Sequence, residues 1–414
     1  MKRPVEPPLL ADEELRAARE ALADLAGSLL AQPPGDASDP TLFTGATGQA
    51  IFHRFVAQAG VLPADDHHRR ADALLERAVA LAPEALDGCS IAAGVAGLAW
   101  AFLLTEPAGP DLDAQLAAID EVVVEQVRAD VFETRFDVLY GLAGVGLYAL
   151  RRPDAEGAAM AEGVLARLRE LARPQARGVA WQTDPDTLPD AVRGLHLADE
   201  KDLGMAHGSA GVITALAGMV ERGLGAEGAR ALLDDAVAWV VSQRLADPSR
   251  GLFPGHVGDG LSRHAPRVAW CIGDAGLGLA LLHAARASRR DDLGALARET
   301  LRSAASRPAA MQGVVDAGIC HGAMGLAQIY TRAWRLTGDP EYAEVARRWV
   351  REGLAIKRPD GLGFGLESWD MSLGWLPDLS LLSGAAGVGL ALASAVTTME
   401  PAWDGVFGMS LPGV

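Results

Sequence analysis

Two cysteines and one histidine stand in positions that suit metal chemistry. Cys320 and His321 are adjacent in "CHGAMG", and Cys271 precedes a glycine in "CIGDAG". Two thiolates and one imidazole are borderline-soft ligands that suit Zn²⁺. Three protein ligands leave a fourth position open, which is typical of a catalytic zinc site. An isolated Cys-His pair is a part of the packed core about as often as it is a metal site. The zinc interpretation therefore depends on what brings the three residues together.

The stretch around these residues recurs seven times as G-x-x-G followed by an apolar run, and successive copies start 47 to 67 residues apart. The first glycines are Gly45, Gly94, Gly141, Gly208, Gly273, Gly322 and Gly384. Cys271 and Cys320 both lie two residues before the first glycine of their copies, and His321 and His207 lie one before. Copies four, five and six are consecutive, so their loops should meet at one end of a repeat fold.

Amphipathic helices separate the glycine pairs. Segments such as "PEYAEVARRWVREGLAI" carry apolar residues at helical spacing and charges on the other face, whereas strand signals are sparse. Each copy therefore predicts an outer–inner helical hairpin, and glycines at i and i+3 would let inner helices approach closely. The last inner segment has no polar cap, which an open solenoid needs. We therefore expect an all-α fold, an α,α-toroid of seven hairpins closed into a barrel, in a single domain over residues 1–414.

Composition excludes several classes of protein. No apolar run reaches the roughly 18 residues of a membrane span, and the acidic, polar start does not resemble a secretory signal. A net charge of −17 argues against nucleic-acid binding and would suit a substrate with positive character. Three cysteines cannot form a disulfide framework, which favours a reducing, cytoplasmic compartment.

Three polar residues lie near the proposed metal loops. His207 could be a fourth ligand, a general acid/base or a hydrogen-bonded structural histidine. Asp137 lies four residues before the third glycine pair, and Arg267 lies four residues before Cys271. Isolated charged residues are usually solvated at the surface. The positions of Asp137 and Arg267 on loops beside the proposed metal make an active-site role equally credible.

The remaining candidates carry weaker signals. His256 and His264 lie in a glycine-rich loop and are either substrate-facing or merely exposed. Cys89 is expected to be a small buried apolar residue. Four other histidines are expected to be ordinary helix residues: His53, His67, His68 and His283.

The motifs "AHGSAG", "WCIGDAG" and "CHGAMG" resemble the signatures of the lanthionine synthetase C-like family, the lantibiotic cyclases, and the resemblance covers all seven copies. It implies an α,α-toroid with one zinc ion. The positions that match the family's zinc ligands are Cys271, Cys320 and His321. The positions that match its other active-site residues are Asp137, His207 and Arg267.

The family's reaction is the addition of a cysteine thiol to dehydroalanine or dehydrobutyrine in the same peptide, which forms a lanthionine or methyllanthionine ring. The resemblance implies a dehydrated precursor peptide, with leader and core, as substrate. A separate dehydratase and a transporter are the candidate partners, in the cytoplasm or peripheral to a membrane-associated biosynthetic complex. No dehydratase or kinase domain precedes the first copy, so we expect a standalone cyclase.

Four alternatives differ in chemistry. A family member could instead add glutathione to dehydrated residues of damaged proteins, or serve as a non-catalytic peptide-binding scaffold. Glycoside hydrolases share toroidal barrels but need two carboxylates across the sugar, and these loops supply few acids. Protein prenyltransferase β subunits bind zinc in such a barrel, but a Cys-Cys-His set in register with the repeats fits them poorly.

Overall fold

A computed structural model describes residues 8–129, 132, 135–182, 184–187, 199–261, 263–358, 365–370 and 372–412. Helices dominate these residues, and none of the described helices is long and apolar enough to cross a membrane. The α-helices are α1 (Asp12–Ala31), α2 (Ala46–Gln58), α3 (Ala64–Ala85), α4 (Val95–Thr105), α5 (Pro110–Arg128), α6 (Leu142–Arg151), α7 (Ala155–Leu171), α8 (Ser209–Arg222), α9 (Ala226–Ser242), α10 (Asp274–Ser288), α11 (Asp291–Ser306), α12 (Ala309–Gln312), α13 (Ala323–Thr337), α14 (Pro340–Ala355) and α15 (Ala385–Val396).

The seven glycine pairs mark the starts of seven inner helices. Each of these helices begins at the residue that follows the first glycine of its copy. The seven are α2, α4, α6, α8, α10, α13 and α15. The predicted inner helix is therefore confirmed at every copy. In each copy the first glycine of the pair directly precedes the helix N-terminus.

The glycines are required by their own loops. A Cβ at Gly325 would lie 1.9 Å from the carbonyl oxygen of Ile319, and a Cβ at Gly322 would lie 2.2 Å from the backbone nitrogen of Gly318. The loop before the helix thus passes directly over its first turn, where no side chain fits. The expectation that these glycines serve contacts between inner helices is wrong at this copy, since the nearest atoms belong to the loop.

The described residues fall into two compact units. One comprises the described residues within Met1–Leu86, Gly97–Ala108 and Val314–Trp403, and the other comprises those within Asp87–Ala96, Gly109–Gly313 and Asp404–Val414. The first unit contains the inner helices of copies six, seven and one, and the second contains those of copies three, four and five. The single domain over residues 1–414 stays a prediction.

Inner and outer helices pack as hairpins within each unit. In the first unit α2 packs against α3 and α13 against α14, and in the second α6 packs against α7, α8 against α9, and α10 against α11. The last inner helix, α15, packs against α1, the first outer helix. An open solenoid would leave both of these helices without that partner, so the contact agrees with a closed arrangement of repeats.

Strands are short and lie between helices. Three antiparallel pairs occur in the described residues: β1 (Arg173–Pro174) with β2 (Val179–Ala180), β3 (Lys201–Asp202) with β4 (His256–Val257), and β5 (Ser368–Asp370) with β6 (Gly374–Leu376). The sequence did not predict these pairs, because runs of two or three residues have no detectable alternation.

Two of the histidines expected to be ordinary form a buried pair between α2 and α3. The Nδ1 atoms of His53 and His67 are 2.7 Å apart, and both residues are buried. Burial, followed by repulsion from His67 and Arg70, lowers the pKa of His53 to about 2, and burial also lowers the pKa of His67. Both rings are therefore held neutral, with one nitrogen donating a proton and the other accepting it.

Acid should weaken the fold through this pair. The unfolded chain binds protons at these histidines below pH 6.5, whereas the folded chain does not, so the free energy of unfolding should fall as the pH drops below 6.5. Denaturant unfolding of the wild type should lose more stability between pH 7.5 and pH 5.5 than that of His53→Gln. The variant His264→Gln, which changes an exposed histidine, is the control. Equal losses in all three proteins would contradict this account.

Candidate metal and catalytic site

Backbone hydrogen bonds link the loops of successive copies. The N–H of Val138 donates to the carbonyl of Ala206, and the N–H of Ala206 donates to the carbonyl of Cys271, each at 3.1 Å. In the other unit the N–H of Cys320 donates to the carbonyl of Leu382 at 2.9 Å. In each case the backbone N–H of a residue two or three before the first glycine donates to the carbonyl of the residue two before the first glycine of the next copy. Copies four and five are therefore neighbours, as the repeat register predicted.

The two cysteines and the histidine of the sequence prediction form a possible metal-binding group. One ligand atom from each of Cys271, Cys320 and His321 lies within 4.8 Å of the other two, and all three residues are half-buried. In the described part of the chain this is the one such group of His, Cys, Asp or Glu. Thiolates about 2.3 Å from a tetrahedral zinc lie about 3.8 Å apart, so the donor types and their spacing are compatible with zinc.

Cys89 does not belong to that group. It is buried, and burial raises the pKa of its thiol to about 12. A thiol that stays protonated at neutral pH is neither a nucleophile nor a metal ligand.

His207 and Asp137 are brought together although 70 residues separate them. Nδ1 of His207 lies 2.9 Å from Oδ2 of the buried Asp137, and Oδ1 of Asp137 accepts the N–H of Tyr140 at 2.6 Å. The ring of Tyr140 stacks on the imidazole of His207, with centroids 6.2 Å apart and planes inclined by 10°. The carboxylate and the ring together fix the orientation of His207, whose side chain remains 43% exposed.

The surroundings of His207 favour its protonated form. Burial alone would lower its pKa, but the hydrogen bond and charge of Asp137, with the charges of Asp202 and Cys271, raise the pKa to about 9. The imidazole therefore carries a proton at neutral pH. A half-exposed, oriented imidazolium is suited to deliver a proton to a bound molecule.

Arg267 is a half-buried cation at the start of the loop that carries Cys271. Its guanidinium makes no hydrogen bond or ion pair with any other described residue. A cation that pairs with none of the described residues remains available to an anionic group of a ligand.

The two histidines of the glycine-rich loop differ in their surroundings. Nδ1 of His256 lies 2.5 Å from Oε1 of Glu200 and 3.9 Å from Oδ2 of Asp202, which faces it across β3 and β4. His264 is exposed. His256 therefore lies beside two carboxylates of the second unit.

The sequence reasoning missed four aspartates that share one position, six residues before the first glycine of a copy. They are Asp39, Asp202, Asp316 and Asp378. In each, Oδ1 accepts a hydrogen bond from the backbone N–H two residues later, which forms an Asx turn. The constant spacing is visible in the sequence.

The fold and the donor set define an all-α protein with a Cys-Cys-His group compatible with zinc. The chain matches the family described as lanthionine synthetase C-like protein over residues 36–407. It therefore belongs to the lanthionine synthetase C-like family. No curated protein sequence matches the chain.

One solved structure supports the same fold. Nisin cyclase matches with a TM-score of 0.76 at 20% identity, covering 95% of this chain and 97% of its own. This likeness confirms the predicted all-α toroid. A GH76 α-mannanase from Bacteroides thetaiotaomicron matches with a TM-score of 0.49 at 13% identity, covering 94% of this chain and 96% of its own. A sugar epimerase from a ruminal bacterium matches with a TM-score of 0.46 at 11% identity, covering 92% and 98%.

Proposed function

We propose that the chain is a zinc-dependent peptide cyclase that adds cysteine thiols to dehydroalanine or dehydrobutyrine residues of a precursor peptide. The Cys271, Cys320 and His321 group carries this proposal, because three ligands leave a position for a substrate thiol. Membership in the lanthionine synthetase C-like family and the likeness to nisin cyclase support the same reaction.

The reaction adds a thiol S–H across a carbon–carbon double bond, with no net oxidation or reduction. A free cysteine thiol has a pKa of about 8.5 and is mostly protonated at neutral pH. A zinc ion held by Cys271, Cys320 and His321 would lower the pKa of a bound thiol, so that its proton is lost to solvent and the thiolate serves as the nucleophile. The new C–S bond forms at the β-carbon of the dehydrated residue, and its double-bond electrons move to the α-carbon and carbonyl. A proton delivered to the α-carbon completes the thioether.

The remaining roles follow from the charges of the side chains. His207, protonated at neutral pH, is the proposed general acid that protonates the α-carbon. Arg267 has a guanidinium free of other described residues, and it is the proposed partner of the negative charge on the carbonyl oxygen. Asp137 orients His207 through the 2.9 Å contact and keeps it protonated.

Asp137→Asn should move the alkaline limit of the reaction to lower pH. The wild-type rate should fall as His207 loses its proton near pH 9, and without the carboxylate that loss should occur nearer 6.5. The same contact stabilises the folded chain fully below pH 6.5, and this stabilisation is lost as the pH rises through about 9. NMR titration of the His207 ring measures the shift directly. Tyr140→Phe, which keeps the stacked ring and Asp137, should titrate like the wild type; an unchanged pKa in Asp137→Asn would refute the assignment.

The alternative function, glutathione addition, would use the same zinc site. It can be distinguished from cyclisation by the mass of the peptide product. The wild type is incubated with glutathione and a synthetic peptide that contains one dehydroalanine and one cysteine. A cyclase gives a product of unchanged mass that resists thiol alkylation, whereas a glutathione transferase gives a product heavier by one glutathione. A scaffold gives neither product above the rate without protein.

We place the reaction in a reducing compartment, the cytoplasm or the face of a membrane-associated biosynthetic complex. All three cysteines are free, and both the zinc ligands and the substrate thiol must stay reduced. A separate dehydratase must supply the substrate, because the addition requires alkenes already formed from serine or threonine. A transporter for the mature peptide is the other proposed partner.

A further inference from the structure

Asp316 connects the loop of two proposed zinc ligands to the β5–β6 hairpin. Its side chain is 1% exposed. Oδ1 accepts the N–H of Gly318 and Oδ2 accepts the N–H of Trp369, each at 3.0 Å. The same Oδ2 lies 3.6 Å from Nε2 of His321.

His321 is the one ion-pair partner of Asp316 within the described residues. No lysine, arginine or other histidine of the described chain lies within 4.0 Å of this buried carboxylate. A buried anion is costly unless donors surround it. Two backbone N–H groups supply part of that requirement, and an N–H on the facing ring nitrogen of His321 would supply the rest.

The first copy of the repeat shows the same arrangement with a different side chain. Oδ1 of Asp39 accepts the N–H of Thr41 at 2.8 Å, and Oδ2 of Asp39 accepts the hydroxyl of Thr44 at 2.5 Å. Thr44 lies one residue before its glycine, as His321 does. The aspartate six residues before the glycine therefore reaches the side chain one residue before it in two separate copies.

We propose that Asp316 is a positioning residue for His321, an inference that rests on the proposed zinc site. Metal-binding histidines usually direct their second ring nitrogen to a carboxylate or carbonyl, which fixes the tautomer and makes the ring a better ligand. In this proposal Nε2 of His321, which lies 3.6 Å from Oδ2 of Asp316, carries the proton, and Nδ1 is the atom that would bind the metal. Asp316 thereby sets the affinity of the site without touching the ion.

The seventh copy offers a matched control. Asp378 occupies the same position as Asp316 and accepts the N–H of Ser380 at 2.7 Å, but the residue before its glycine is Ser383. Asp378→Asn therefore changes the same kind of turn without a histidine to orient. Asp316→Asn keeps one oxygen to accept the N–H of Gly318, and it replaces the charged oxygen that faces Trp369 and His321 with an amide NH₂.

The test is the zinc affinity of the full chain, measured by competition with a chromophoric chelator. We expect Asp316→Asn to bind zinc about 10–100-fold more weakly than the wild type, and Asp378→Asn to bind it as the wild type does. Substitution with Co²⁺ provides a second readout, since the visible bands should shift in Asp316→Asn and not in Asp378→Asn. If Asp316→Asn does not fold, Asp316→Ser keeps an acceptor for the turn and should show the same loss.

The outcomes separate this inference from the proposed function. A wild type that binds no zinc overturns the zinc site and this inference together. A wild type that binds zinc, with equal affinity and equal Co²⁺ spectra in both aspartate variants, overturns the role of Asp316 and leaves the zinc site standing.

Discussion

His207→Ala should keep its zinc and cyclise a dehydrated peptide more slowly by on the order of 10²–10⁴, the usual contribution of a positioned general acid. Cys271, Cys320 and His321 already supply three ligands, so the loss of His207 removes the proton donor and not the metal. The peptide should still bind, because the thiol position is intact.

The measurement pairs metal analysis with single-turnover kinetics, which separates the chemical step from binding. His264→Ala changes an exposed histidine and should behave as the wild type. Zinc loss from His207→Ala would show that His207 is a ligand. Full activity in that variant would assign the proton to another donor, such as His256.

Cys320→Ala should lose most of the zinc and reduce cyclisation to the rate of the peptide without protein. Two remaining ligands hold zinc weakly, and an unbound peptide thiol at neutral pH is mostly protonated. Cys271→Ala should behave in the same way.

Cys89→Ala is the matched control, because it removes a cysteine whose pKa of about 12 keeps it a buried thiol. It should retain stoichiometric zinc and activity, at some cost in stability from the cavity it leaves. Full zinc retention in both Cys271→Ala and Cys320→Ala would remove the metal from this account.

The sequence predicted the helical repeat because glycine serves one purpose at seven equivalent points. A helix that begins under its own loop needs glycine at its first turns, and this requirement appears as regular spacing. The position of Cys271 next to copy four followed from the same register, and the hydrogen bond from Ala206 confirms it. The physical reason given for the glycines was wrong at copy six, because sequence spacing does not show which neighbour excludes a side chain.

Other features depended on packing that spacing does not contain. The contact between His53 and His67 arises because α2 and α3 bring two helix faces together, so neither residue is distinctive in its own segment. The stacking of Tyr140 on His207 likewise joins two copies. Asp137 was assigned to the site by its spacing from a glycine pair and by the family resemblance, and the structure shows its contact with His207.

The position of Asp316 was predictable and was missed. Four of the seven copies have aspartate six residues before the first glycine, which is a stronger pattern than either cysteine provides. The contacts of Asp316 were not predictable, because the turn that it forms and the histidine that it faces are properties of the folded loop.

The most direct test of the account measures thioether formation itself. The zinc-loaded wild type is incubated with the dehydroalanine- and cysteine-containing peptide, and free thiols are then alkylated and counted by mass spectrometry. Cyclisation leaves the peptide mass unchanged, so an alkylated peptide is uncyclised and an unalkylated one carries the ring. We predict that the wild type removes the alkylatable thiol far faster than Cys320→Ala or the peptide alone, with His207→Ala slower than the wild type by on the order of 10²–10⁴. Equal rates for the zinc-loaded wild type, Cys320→Ala and the peptide alone, over peptides of varied spacing between dehydroalanine and cysteine, would contradict the account.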